Sequence, residues 1–326
     1  MLKLMLTQML ALAIFSTGAV GDQNLKERKI SVITNFSEAD PAAQILVKQF
    51  VDTLNNDKPK DTFIKYEYYW SNGNVESARR YAKNIASNQP DLIFAATTPV
   101  VRALLQETKT IPIIFATVAD PVGSGFVANF AAPGKNVTGF VNSEGGIAGK
   151  WVQYLKELIP GMTCVSMMYN PATAPYYKYY VSPFEEASRS LNVTATLSPV
   201  ATEKDIEDTI EGLSTKRCGL ILMNDSFNYV HRRIIASTSE KYGIPVAAYN
   251  KATAQDEALV AYGPEEADAY KKAAGYAKKI IDGAEVGNLP VQLNTHFYLS
   301  INIRKAKKLG IEIPASFLSR VDEEIE

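Results

Sequence analysis

The sequence predicts an α/β protein made of two similar open parallel-sheet lobes. Three observations carry that prediction. Short apolar strands alternate with amphipathic helices along the chain, the second half repeats the order of the first, and polar residues gather just after the strands.

The first series of strands reads KISVITN (29–35), KYEYYW (65–70), DLIFAA (91–96), PIIFAT (112–117) and VTGFV (137–141). Helical patterns fill the gaps at 41–55, 74–88 and 99–107, and one at 145–158 leads into the second series. That series reads TCVSMMYN (163–170), TATLSPV (194–200), GLILMN (219–224), PVAAY (245–249) and ALVAYG (258–263), with helices at 175–191, 203–214, 228–242 and 264–283. ISVITNFSEADPAAQ aligns with VSMMYNPATAPYYKY, LIFAATTP with LILMNDSF, and TIPIIFA with GIPVAAY, at an offset near 130 residues. Two copies of one βαβ plan make two similar lobes.

The chain has 326 residues, 46% of them hydrophobic and 21% charged, enough for one large core or two smaller ones. A formal net charge of −1 gives no sign of a nucleic-acid or polyanion partner. The first residues differ in kind: Lys3 precedes an apolar stretch to Val20, and Ala19-Val20-Gly21 stands before Asp22. A membrane anchor of about 17 residues would be at the short limit for a bilayer, so a signal peptide over 1–21, cleaved near Gly21, is the favoured reading. No cysteine follows it, so it is not a lipoprotein signal, and a periplasmic or extracytoplasmic location is expected. The two cysteines, Cys164 and Cys218, each open a strand. They form a disulfide if those strands are neighbours, or else remain two buried thiols.

In open α/β sheets ligands sit beyond the carboxyl ends of the strands. The residues selected there are Asn35, Phe36, Ser37, Trp70, Thr97, Thr98 and Asp120 in the first lobe. The second lobe supplies Asn170, Thr173, Asn224, Asp225, Ser226 and Tyr249. Thr98 before Pro99 has the arrangement of a helix N-cap, whose unpaired N–H groups suit an anion such as a carboxylate. Asp225 is the matching acid, able to accept a ligand ammonium or simply to cap the next helix. A zwitterion such as an amino acid satisfies both ends. Tyr176, Tyr177, Tyr179, Tyr180, Phe184, Phe227, Tyr229 and Tyr249 divide between core and a stacking wall.

Catalytic constellations are missing from the sequence. The two histidines, His231 and His296, have no cysteine near them, and no G-x-S-x-G elbow, Walker loop, H-E-x-x-H or paired C-x-x-C occurs. Asp120 and Glu144 could act as an acid–base pair only if the fold joined them. The chain reads as a binder without a cofactor.

Residues 120–140 (DPVGSGFVANFAAPGKNVTGF) and the ending from VAYGPEEADAY to VDEEIE, with its NLPV…F.L.IN…AK.LGI.IP pattern, carry a resemblance. The chain resembles periplasmic substrate-binding proteins of ABC transporters, in the family that includes the tryptophan/tyrosine binders. The resemblance implies the type I periplasmic-binding-protein fold, with a hinge crossed by several segments. The expected lobes are 29–139 plus about 265–288, and 140–264 plus about 289–326, hinged near Gly139–Asn142 and Tyr262–Pro264. It also implies a monomer that closes on a small ligand and delivers it to a permease driven by a cytoplasmic ATPase. The first expectation for that ligand is an aromatic or hydrophobic amino acid. A sugar or nucleoside-like solute, or a sensor that presents its closed form to a receptor, are the alternatives.

Overall fold

A computed structural model describes residues 25–326 except 143 and 257. The signal segment expected over 1–21 lies outside the described residues. The first lobe begins with β1 (Lys26–Thr34), α1 (Pro41–Asp57), β2 (Thr62–Trp70) and α2 (Val75–Asn88). It continues with β3 (Leu92–Ala96), α3 (Thr98–Glu107), β4 (Ile113–Val118) and β5 (Val137–Val141). The second lobe then runs α4 (Ile147–Leu158), β6 (Cys164–Tyr169), α5 (Lys178–Ser190), β7 (Thr194–Pro199), α6 (Glu203–Leu213) and β8 (Cys218–Leu222). It goes on through α7 (Ser226–Val230), α8 (Arg232–Lys241), β9 (Val246–Ala248), α9 (Lys251–Gln255) and β10 (Val260–Pro264). The chain returns to the first lobe for α10 (Glu266–Ile281) and β11 (Gln292–Leu293). It ends in the second with β12 (Phe297–Asn302), α11 (Ile303–Leu309), α12 (Ala315–Leu318) and β13 (Glu323–Ile325).

The sheets have orders β11-β5-β4-β3-β1-β2 and β13-β12-β10-β9-β8-β6-β7, and among the described strands only the β10–β12 pairing is antiparallel. Period-2 alternation sorts each strand between two helical layers. On β1, Ile30 and Val32 pack with Phe50 of α1 and Tyr270 of α10, whereas Ile33 joins Ala82 of α2 and Leu104 of α3. On β6, Val165 and Met167 pack with Trp151 of α4 and Phe184 of α5, and Met168 faces Ile206 of α6 and Ile235 of α8. Both sheets are covered on both faces, as their near-continuous apolar strands require.

The helix expected over 228–242 is broken at His231 into α7 and α8. The short strands β12 and β13 had no counterpart in the strand pattern. The chain crosses between lobes three times, after β5, after β10 and after β11. β5 runs on to Val141, and Gln292–Leu293 pairs with β5 in the first sheet, a few residues beyond the switches expected at 140 and about 289. Two crossings need glycine for close approach. A Cβ on Gly145 would lie 2.2 Å from the Tyr179 carbonyl oxygen, and one on Gly263 would lie 1.9 Å from that of Tyr249.

Cys164 and Cys218 stand opposite each other on adjacent β6 and β8, and they are joined by a disulfide. Of the two readings open for them, the bridge is the one the fold makes. Closing a loop of 54 residues restricts the unfolded chain, so serine at both positions is expected to destabilise the protein by about 2–4 kcal/mol. Chemical denaturation of the oxidised protein and the double variant measures this, and coincident transitions would contradict it.

Candidate functional site

The carboxyl ends of β1, β3, β4, β8 and β9 meet around a small cavity between the lobes. Lobe one contributes Phe36, Thr97 and Thr117; lobe two contributes Tyr176, the stretch 222–226, Asn228, Tyr229 and Tyr249. Glu266, just past the second crossing, completes the wall.

The two threonines of lobe one reach the cavity through unusual backbone. Helix α3 begins one residue earlier than the Thr98-Pro99 reading expects: Thr97 is the N-cap, at φ +87°, and its side chain makes no capping bond. Thr98 instead accepts a hydrogen bond from the Ala119 amide on Oγ1 (3.2 Å), so its hydroxyl ties α3 to the end of β4. Thr117 has φ +51° where the β4–β5 register shifts between Phe115 and Val118, and this irregularity places a mid-strand residue on the wall. Non-glycine residues at positive φ are costly and concentrate at functional sites.

In lobe two, Asp225 organises the strand ends. Its Oδ2 accepts from the Asn170 amide (2.7 Å), and its Oδ1 accepts from the Thr173 hydroxyl (2.5 Å) and the Phe227 amide (3.0 Å). Asn170 in turn accepts from the Ala172 amide at 2.8 Å. Burial pushes the Asp225 carboxyl up to about 6, against the pull of these donors. Asp225 therefore lines the cavity with its oxygens already committed inside its own lobe. Tyr176 donates to the Asn224 carbonyl at 2.8 Å.

Of the residues read from the sequence, Phe36, Thr97, Asn224, Asp225, Ser226 and Tyr249 are together on the wall. Asn35 lies beneath them, accepting from Ser71 (2.6 Å) and donating to Ser226 across the lobes (2.7 Å). Asn170 and Thr173 brace Asp225. Trp70 packs half-buried on the first core, Ser37 borders a separate groove beside Asp40, and Asp120 accepts from the Gly123 amide in another recess. Of the tyrosine cluster only Tyr176 joins this wall; Tyr180 and Phe184 are core, and Tyr177 stacks on Tyr169 at 4.5 Å. Thr117, Asn228 and Glu266 were missed by sequence reasoning.

Five side-chain atoms on the wall are buried and lack a hydrogen-bond partner: Thr97 Oγ1, Thr117 Oγ1, Asn228 Oδ1, and the Tyr229 and Tyr249 hydroxyls. Buried polar atoms are normally paired, so five orphans around one cavity describe a polar surface built to meet another molecule. Among the described residues, no group of three or more His, Cys, Asp or Glu is placed to hold a metal ion.

The lobes touch directly around the site. The Phe36 and Tyr229 rings are 4.5 Å apart, and Arg232 pairs with Asp40 across the lobes at 2.5 Å and with Asp256 of its own lobe at 2.6 Å.

The family model for ABC transporter substrate binding proteins matches residues 29–325. The chain belongs to this family. Among relatives, this substrate-binding protein is 25% identical over 273 residues to a tyrosine-binding protein of Clostridioides difficile (strain R20291), covering 83% of this chain and 78% of that one. A conserved domain protein from Vibrio cholerae superposes with a TM-score of 0.83 at 24% identity, covering 91% of this chain and 99% of that one. An ABC domain from Streptococcus pneumonia in complex with L-Trp gives 0.82 at 22% identity, with 92% and 100% covered. A ligand-free, open substrate binding protein from Clostridium difficile, 24% identical with 92% and 99% covered, gives only 0.65. These structures share the two-lobed type I fold.

Proposed function

We propose that this substrate-binding protein works outside the cytoplasm as the solute-binding component of an ABC importer, closing its lobes on an aromatic amino acid. The five orphaned polar atoms around the interlobe cavity carry the proposal, because they come from both lobes and await the polar groups of a solute. The rings of Phe36, Tyr176, Tyr229 and Tyr249 supply the apolar and stacking surface that an aromatic side chain needs. The tyrosine-binding relative and the tryptophan complex support the same ligand class. In this reading Thr97 and Thr117 donate to the ligand carboxylate, Asn224 and Ser226 shape the facing wall, and Asp225 holds that wall rigid. The closed form is what a membrane permease and its ATPase would recognise, with the protein acting as a monomer that binds and releases without chemistry.

Native mass spectrometry of the mature protein, followed by unfolding and rebinding, tests the proposal. L-tyrosine or L-tryptophan at a hundredfold excess over its Kd is expected to add about 2.7 kcal/mol to stability. A released sugar or nucleoside, with no stabilisation by any amino acid, would replace the aromatic ligand with another class.

A further inference from the structure

Glu266 is the one acid on the cavity wall whose carboxylate no neighbour holds. Asp225 accepts three hydrogen bonds. Among the described residues no hydrogen bond or ion pair reaches the Glu266 side chain. The nearest basic groups are engaged elsewhere: Arg232 by Asp40 and Asp256, and Lys251 by Glu323 at 2.6 Å. Beside it on the same wall, the deeply buried Tyr229 and Tyr249 carry unpaired hydroxyls. A carboxylate with open oxygens beside phenol hydroxyls is a receptor for an ammonium group, which donates charge-assisted hydrogen bonds to them.

We propose that Glu266 is the ammonium-accepting, specificity-determining residue of the cavity, so that the protein selects solutes bearing a free primary amine. This deepens the aromatic amino-acid reading and rests on the same cavity. It moves the amine from Asp225, the acid expected from sequence, to a residue at the first turn of α10, on the crossing between lobes. An amine held there touches the segment that must shift when the lobes move, so recognition and closure share one contact. Burial, helped by Glu265 and opposed by Arg232, raises the Glu266 carboxyl to about 8. The other titratable groups around it are Tyr270 on α10, Tyr229, Tyr249, Lys251 and Tyr298. A cationic ligand stabilises the ionised form, so binding near neutral pH releases a proton, and affinity rises as pH approaches 8.

The test compares wild type with Glu266→Gln, using L-tyrosine, tyramine and 3-(4-hydroxyphenyl)propionic acid as probes in calorimetry, and a wider panel of amines in thermal shift. L-tyrosine is expected to bind wild type about a hundredfold tighter than the deaminated acid, and Glu266→Gln to abolish that preference by weakening L-tyrosine. Calorimetry in buffers of different ionisation heat should show proton release on L-tyrosine binding to wild type and none in the variant. Glu266→Gln removes a crowded charge, and its melting temperature should not fall, which separates lost recognition from lost folding. Equal L-tyrosine affinity in both proteins overturns the role of Glu266 and leaves the aromatic reading standing. A non-aromatic amine that binds only when Glu266 is present upholds the role and removes the aromatic reading. No response of wild type to any amine-bearing probe overturns the proposal.

Discussion

Replacing Arg232 with methionine is expected to weaken amino-acid binding by about 10²–10³-fold and to leave the free protein in a more open shape. Arg232 is 5% exposed and joins Asp40 of lobe one to Asp256 of lobe two, while its guanidinium lies 4.3 Å from the Tyr229 ring centroid. Removing one partner of a buried ion pair costs about 3–5 kcal/mol because the other charges are left without compensation. With the lobes apart, Asp40 and Asp256 regain water, so most of that cost falls on the closed form alone. A ligand that binds only the closed form loses affinity by the same factor. Asp40→Asn is the milder companion: it keeps an oxygen for the Ala42 amide at the start of α1 and removes only the charge. Titration calorimetry with small-angle scattering measures both effects. Unchanged affinity in Arg232→Met would show that the pair contributes nothing to closure.

Asp225→Ala is expected to destabilise the second lobe by about 2–4 kcal/mol, since the amides of Asn170 and Phe227 lose their acceptor in a dry setting. Its titration gives a second handle. The folded value of about 6 lies above the ordinary 3.8, so the contribution of Asp225 is complete at low pH and is lost as pH rises through 6. The shift corresponds to about 3 kcal/mol. Relative to Asp225→Asn, which cannot titrate, wild-type stability should therefore fall by about that amount between pH 4 and pH 7. Denaturant melts across that range read the difference directly, and parallel pH profiles would rule out a strained carboxylate.

Much of this architecture was legible because it rests on local pattern. Period-2 strands, amphipathic helices and the repeated βαβ order mark two sheets, whereas the pairing of Cys164 with Cys218 stays open in the sequence until the fold sets β6 beside β8. Part of the cavity wall was legible too, because strand ends in such sheets converge. The roles were harder to read. Thr97 and Thr98 are equivalent in sequence, and only a backbone turn to positive φ gives the first to the cavity and the second to Ala119. Thr117 sits inside an apolar strand, and a register shift rather than any residue pattern turns it inward. Glu266 reads as the ordinary acidic first turn of a helix. Its meaning depends on the chain crossing between lobes at that residue, a long-range fact with no local signature.

The crossing after β10 also bears on the order in which the molecule can mature. Helix α10 packs on α1, yet most of the second lobe lies between them in the chain. Lobe one thus exposes the apolar floor formed by Ile30, Val32 and Phe94 until nearly all of the polypeptide has been made. The second lobe likewise waits for β12 and β13 at its sheet edge. Neither half can reach its final form as a free-standing intermediate during vectorial synthesis, and both lobes complete late and together.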